Sequence, residues 1–597
     1  MSAGRPIPPA GVDAVRRVLL GAGTAGGVRI TDVRTGASRR WRRTWLDSAD
    51  WRLHRNGLAL ELHRTGATGR LVVHGAGAGE LACPADGVTF PCRVAGLPAG
   101  ELRDRLAAPL ALRALLPLTD LSGTADDLAV LDEREKTVVR LTLETVEASG
   151  DPAGRGALRL DEVRGYPEHA RRVTATLRAA GFDVRVVGDR LARPLAEAES
   201  ALRAAGLDPG RLPGDLPRRI APDTPADRAV AMVLSAFLDE LEAAVPGTIA
   251  DLDPEFLHDL RVAVRRSRAA LALAGDVLPA VAVEAAAREL TWLGDLTTPL
   301  RDLDVHLLDL PELATRLTAF APADLDPLAA HLTRHRERER RLLVRGLRSP
   351  RFARFVAEWR AVLERVAAEG AEGTAVGELA ADRVRRADRR FVRPGRRITD
   401  SSSPRHLHRL RKRGKELRYV LELFAPVLDR GHQRALVREL KAVQDVLGVF
   451  QDSEVQQETI SGLAERMIAE NGSDAPVPVG TLLAMGELVT HLRQDQDTAR
   501  AAFGARFAAF VRPRVRRHVT ALTPPTRITP PVRAVPLTRA APPAGVTVSV
   551  GDAVPVRGVG DVVSTGGVVV PGDPVAPAGS GSRSRPVGAR AGAGSAG

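Results

Sequence analysis

The chain has 597 residues, 86 of them basic and 73 acidic, for a formal charge of +13. No apolar run reaches the roughly 18 residues needed to span a bilayer. Two cysteines, Cys83 and Cys92, are too few for a disulfide framework or a four-thiolate metal site. A soluble, reducing, cytoplasmic protein without membrane contact is expected, and the short Gly-rich stretch Val18–Val28 lacks a secretory cleavage pattern. Nearly all the cations are arginine; a GC-rich genome explains that preference but not the positive sum, which points to an anionic partner.

The composition and texture predict an α+β multidomain chain. Aromatics are only 3% of residues, so the cores must be built mostly from Ala, Leu and Val, which favours helices. Residues 1–210 mix short alternating apolar stretches with Gly-rich turns. Strands are expected around Thr44–Leu46, Leu58–Leu62, Arg70–Val73 and Val138–Leu143, and a helix over Tyr166–Ala180. Gly21, Gly23 and Gly26 match the letters of a dinucleotide fingerprint. A helical stretch precedes them and a strand follows, the reverse of what that chemistry requires. A Pro-containing linker spans 211–223. Residues 224–520 carry Leu and Ala at three- and four-residue spacings, the pattern of helices. Residues 521–597 are rich in Pro, Gly and Val and hold no aromatic residue, so a disordered tail is expected.

The helical region repeats itself. The run His258-Asp-Leu-Arg261 with Arg265 and Arg268 recurs 150 residues later as His408-Arg-Leu-Arg411 with Lys415 and Arg418. Glu289-Leu290, Asp295 and Asp302 recur in the same register as Glu439-Leu440, Asp445 and Asp452. Two equivalent helical halves, about 224–370 and 371–520, are the economical reading. At about 100° per residue, His258, Arg261, Arg265 and Arg268 fall within roughly 80° of one helix face, as do their four counterparts. Leu257, Leu260, Val264 and Leu271 lie beside the first stripe, and Leu407, Leu410, Leu417 and Leu421 beside the second.

Like charges at these spacings repel, and no acid shares either arc, so the arrangement calls for a counter-charge from outside. Such a stripe is either a solvated basic face or an anion site, and duplication at fixed register favours the second. Arginine offers a bidentate fork to phosphate oxygens, lysine a point charge, and histidine a donor that becomes cationic beside phosphate. Asp302 and Asp452 read as helix caps. The run Arg334–Arg348 reads as an exposed face laced with ion pairs. No catalytic group, metal ligand or cofactor site is assigned.

The duplicated motifs resemble the CHAD family, the conserved histidine α-helical domain. The resemblance implies two pseudo-symmetric four-helix bundles around a basic groove that binds inorganic polyphosphate. It implies a binding module that brings proteins to polyphosphate granules, not an enzyme. His258, Arg261, Arg265, Arg268, His408, Arg411, Lys415 and Arg418 would be its contacts. Nucleic acid is disfavoured, since no aromatic stacking platform is interleaved with the charge. Residues 1–210 resemble, more weakly, the CYTH or triphosphate tunnel family. Thr44-Trp-Leu-Asp47-Ser-Ala-Asp50 followed by Trp51–Leu60 looks like its strand, Asp-rich turn and short helix. Active members carry a Glu-x-Glu-x-Lys strand for metal and triphosphate, which is missing here, and Glu133-x-Glu135-Lys136 has the wrong spacing. A degenerate, β-barrel-like domain is expected. The alternative is a metal-dependent inorganic triphosphatase.

Overall fold

The computed structural model describes residues 11–21, 29–65, 68–75, 81–146, 156–186, 193–212, 215–216, 220–369, 373–471 and 476–523. Of the expected tail, all but residues 521–523 lies outside the described residues.

The N-terminal alternation builds a half-barrel sheet. Its strands are β1 (Asp32–Asp47), β2 (Leu58–Thr65), β3 (Thr68–Gly75), β4 (Leu81–Pro84), β5 (Cys92–Arg93), β6 (Ala114–Leu131), β7 (Thr137–Val146), β8 (Gly156–Glu162) and β9 (Asp183–Val186). The order is β4-β3-β2-β1-β6-β7-β8-β9, with β5 also paired to β6. Neighbours run antiparallel except β8 and β9. The four expected strands fall inside β1, β2, β3 and β7. Around the sheet lie α1 (Val12–Gly21), α2 (Arg52–Arg55), α3 (Glu101–Leu110), α4 (Pro167–Ala179) and α5 (Arg193–Ala204).

Successive side chains point to opposite faces, so the sheet is two-sided. One face buries Leu46, Leu60 and Leu62 against α2 and α3, and Leu128, Val130 and Leu141 against α1 and α4. The opposite face carries Arg39, Arg43, Glu61, His63, Asp127 and Glu144, as the cross-strand register requires. Glu133–Lys136 lies in the β6–β7 turn, where the Asp132 carboxylate accepts from the main-chain N–H of Arg134 and of Lys136 at 2.9 Å each.

The helical region comprises α6 (Ala226–Ala250), α7 (Pro254–Ala274), α8 (Ala280–Ala314), α9 (Asp326–Leu347), α10 (Pro350–Glu369), α11 (Val376–Gly395), α12 (Pro404–Leu423), α13 (Arg430–Asn471), α14 (Val479–Phe510) and α15 (Pro513–Leu522). Helices α6, α7 and α8 begin 150 residues before α11, α12 and α13. Proline in the first turn of α7 and α12 supplies a helical φ where no N–H is needed. All eight leucines and valines flanking the two stripes are buried, and they share one core. That core draws on both halves, from α6 to α15, while a second core joins the distal parts of α8, α9, α13 and α14. Among the described residues no helix is long and apolar enough to cross a membrane.

Two expectations are corrected. Asp302 and Asp452 are not caps; they lie inside α8 and α13, where buried residues continue on both sides, Leu300 and Leu310 about the first and Leu447, Phe450, Ile460 and Leu463 about the second. Pro299 does not end α8; just before it, Thr297 and Thr298 hydroxyls bond back to the carbonyls of Leu293 and Gly294. Nor is Arg334–Arg348 only a solvated face. Arg336 turns inward to Asp304 (2.7 Å) and to both oxygens of Asp251 (2.6 and 2.9 Å), tying α9 to α8 and to the end of α6.

The sheet domain grips the start of the first stripe helix. Asp253 caps α7 through its Oδ1, which accepts from Glu255 and Phe256, while its Oδ2 accepts from Ala114 N at 2.9 Å. Arg113, 2% exposed, sits among Asp50, Asp253 and Asp259. Removing one member of such a buried group leaves the others uncompensated. Arg113→Met is therefore expected to lower stability by about 3 kcal/mol, read as a shift of the urea midpoint.

Burial pushes the Glu61 carboxyl up, yet hydrogen bonds from His63 and His74 outweigh it and hold the pKa at about 2 instead of 4.5. A carboxyl depressed in the fold adds stability that is present above 4.5 and lost as pH falls toward 2. Glu61→Gln should flatten the pH dependence of unfolding in that window; an unchanged slope would contradict the assignment.

Candidate anion-binding site

Each basic stripe is assembled against the helix that follows it. In the first half, Arg261 Nη1 donates to Thr298 Oγ1 (2.6 Å), Thr297 Oγ1 (3.2 Å) and the Gly294 carbonyl (3.5 Å) of α8. Arg268 lies over Gly294, where an added Cβ would sit 2.9 Å from its Nη1 and the guanidinium would have to shift. His258 is half-buried near Arg301, which donates to the Pro254 carbonyl at 3.3 Å. Burial, then Arg301, holds the His258 imidazole below its ordinary pKa, so the unliganded ring is neutral near pH 7. Arg265 is exposed.

In the second half the stripe lies against α13. His408 Nδ1 meets Gln451 Oε1, and Gln451 Nε2 in turn donates to Glu454 at 3.2 Å. Arg411 pairs with Asp452 at 2.8 Å, and Arg418 with Glu422 at 2.7 Å along its own helix. Lys415 is half-buried on the same helix. The structure thus gathers each set of four along one helical seam, and α7 and α12 pack directly on each other.

The expectation that all counter-charge comes from outside is corrected here. Asp452 and Glu422 already lie against Arg411 and Arg418. Asp452 lies far from any end of α13, where local polarity suggests a cap, and Glu422 lies one turn beyond Arg418. Arg301 and Gln451 were missed. They occupy the same register, 150 residues apart, and each lies beside its stripe's histidine. The signal was present: Gly294, Thr297, Thr298 and Arg301 follow i, i+3, i+4, i+7, the spacing of one helix face.

A second equivalence appears only in three dimensions. Arg266 on α7 reaches Glu240 on α6 at 3.2 Å, and Arg390 on α11 reaches Glu416 on α12 at 2.9 Å. The pairs occupy equivalent positions with the charges exchanged.

With this geometry in hand, residues 232–461 match the CHAD domain family. The chain carries a CHAD domain over that segment. It is also similar, at 30% identity over 307 residues, to two uncharacterized proteins of Mycobacterium tuberculosis, from strains CDC 1551 / Oshkosh and H37Rv. The match covers 47% of this chain, and the chain spans about half, 54%, of the length of those relatives. Among solved structures, it is similar to the CHAD domain of the plant Ricinus communis, with a TM-score of 0.41, 25% identity, and 49% and 94% of the two chains covered. It is similar also to PptA from Streptomyces chartreusis, with a TM-score of 0.36, 21% identity, and 48% and 100% covered.

If the stripe takes an anion, Asp452 would compete with it for Arg411, and Asp452→Asn should then strengthen tripolyphosphate binding. The gain should be about two- to fivefold, the worth of an exposed ion pair, by calorimetry at low salt. Weaker binding would contradict a competitive role.

Proposed function

We propose that the CHAD domain binds inorganic polyphosphate without transforming it, through His258, Arg261, Arg265, Arg268, His408, Arg411, Lys415 and Arg418. The observation that carries this reading is the duplicated stripe. Two sets of cations in the same register, on two helices in mutual contact, suit a ligand that repeats the same anionic unit along its length. Arg265 and Arg418 stand exposed, and the remaining six are half-buried along the seams, positioned before a ligand arrives. Affinity for such a chain is dominated by charge and falls steeply with salt. Bound phosphate would bring the protein to polyphosphate granules in the cytoplasm.

In this reading the two halves are related by an approximate two-fold axis. Main-chain bonds support it: Ala226 N donates to the Thr374 carbonyl (3.0 Å) and Val376 N to the Thr224 carbonyl (2.8 Å), a reciprocal pair in which each residue meets the counterpart of its neighbour. The exchanged ion pairs of α6/α7 and α11/α12 support it as well. The sheet domain is, on the same proposal, a degenerate CYTH-like domain with no catalytic part. Its polar face is internally neutralised: Arg43 binds Glu144 at 2.7 Å, His74 lies 3.1 Å from Glu61, and Arg39 binds Asp127 at 2.7 Å.

Changing Arg261, Arg265, Arg411 and Lys415 together to Ala should weaken binding of long-chain polyphosphate at least tenfold, about 1.4 kcal/mol, and RNA should not outcompete polyphosphate at physiological salt. Unchanged binding in the variant, measured by titration, would sink the site.

Polyanion binding should also draw a proton to His258. Its free pKa lies below the ordinary 6.5, and nearby phosphate favours the charged ring. Protons are then taken up on binding, so affinity rises as pH falls below 6.5. His258→Gln should reduce that rise, as followed by titration at several pH values.

A further inference from the structure

The distal core holds a group of side chains that the stripes do not use. His331 and His335 stand one helical turn apart on α9 and so share a face, and Glu470 reaches them from α13. His331 is only 1% exposed, packed among the apolar residues of this core, and neither of its ring nitrogens has a hydrogen-bond partner. His335 Nε2 lies 3.2 Å from Glu470 Oε2, and His331 Nδ1 lies 3.7 Å from the same oxygen. The two imidazole centroids are 4.4 Å apart. Buried polar groups are ordinarily satisfied, so an imidazole with two idle nitrogens, aimed toward a second imidazole and a carboxylate, calls for a ligand.

We propose that His331, His335 and Glu470 form a site for a divalent transition metal, zinc fitting best, that ties α9 to α13. Two imidazole nitrogens and one carboxylate oxygen form a donor set that suits zinc, with a fourth position left for water or an anion. The ligand atoms all lie within 4.8 Å of one another. Bonds of about 2.0–2.2 Å in tetrahedral geometry need ligand separations of about 3.3 Å, so small side-chain rotations close the site. Burial, then His335, holds His331 below its ordinary pKa and hence neutral. His335 holds the Glu470 carboxyl below the usual range and hence charged.

Arg334, Arg338 and Arg466 are the nearby cations. Arg334 and Arg466 press the His331 imidazole toward its neutral form against the charge of Glu470, and Arg338 favours the charged Glu470 carboxylate. Glu470 lies 19 residues beyond Gln451 on the same helix, roughly 28 Å along its axis, so this site is separate from the stripes and does not rest on the polyphosphate reading. Because α9 belongs to the first half and α13 to the second, a bound ion would cross-link the halves. The sequence reading assigned no metal because His331-x-x-x-His335 opens the Arg/Glu-rich run, and its third ligand comes from 135 residues away.

The test uses the full chain, stripped with a chelator and titrated with Co²⁺ in the visible range, followed by Zn²⁺ competition. The expected result is one equivalent bound with the intense bands of four-coordinate cobalt, displaced by zinc. His335→Gln and Glu470→Gln should each weaken binding at least tenfold with circular dichroism unchanged, while His518→Ala, at the separate His432–His518 contact, should bind normally. Zinc should also raise the Tm of the unaltered protein, a readout that needs no variant. No stoichiometric cobalt binding, equal affinity in the two ligand variants, loss in His518→Ala instead, or an unmoved Tm would each overturn the proposal.

Discussion

Cations placed three and four residues apart on one helix face repel one another, and that repulsion is the constraint around which the helical region is arranged. A lone helix carrying His258, Arg261, Arg265 and Arg268 would spread these side chains into water. Helix α8 holds them instead, offering Thr297, Thr298 and the Gly294 carbonyl to Arg261 and open backbone to Arg268. Helix α13 does the same for the second stripe with Gln451 and Asp452. The apolar residues beside each stripe are buried in a core common to both halves, so the cations are fixed at its edge.

The sheet domain acts on the same helix from its other end. Arg113 and Asp253 join the β6 edge to the first turn of α7, and Asp259, one residue past His258, shares the Arg113 guanidinium. The position of the first stripe therefore depends on a buried charge group shared with the sheet domain, whereas the second stripe helix begins after Ser403 with no side-chain cap bond. The halves are alike in register but not in support, and the sequence repeat alone gave no hint of that asymmetry.

Much of the architecture was legible in the sequence because it rests on periodicity. The strands, the long helices, the eight flanking apolar residues and the eight stripe positions follow from spacings of two and of three to four residues. What escaped depended on contacts distant in sequence. Asp302 and Asp452 looked like caps because local polarity resembles a helix end, while the continuing apolar period of α8 and α13 decides otherwise. Arg336 looked solvated until Asp251 and Asp304 were brought beneath it by other helices. The exchanged pairs Arg266–Glu240 and Glu416–Arg390 were invisible because the letters differ while the geometry is kept. His331, His335 and Glu470 meet only through side chains that reach between α9 and α13.

The central claim is that the two stripes serve one ligand together. It is tested most directly by titrating Arg261/Arg265 and Arg411/Lys415 double-alanine variants with long-chain polyphosphate and with tripolyphosphate. If one chain spans both stripes, either variant should lose most of the long-chain affinity, while tripolyphosphate, with only three phosphates to share between them, should lose much less. If the long chain instead behaves like tripolyphosphate, with each half contributing independently, the stripes are separate sites and the account of a shared groove is contradicted.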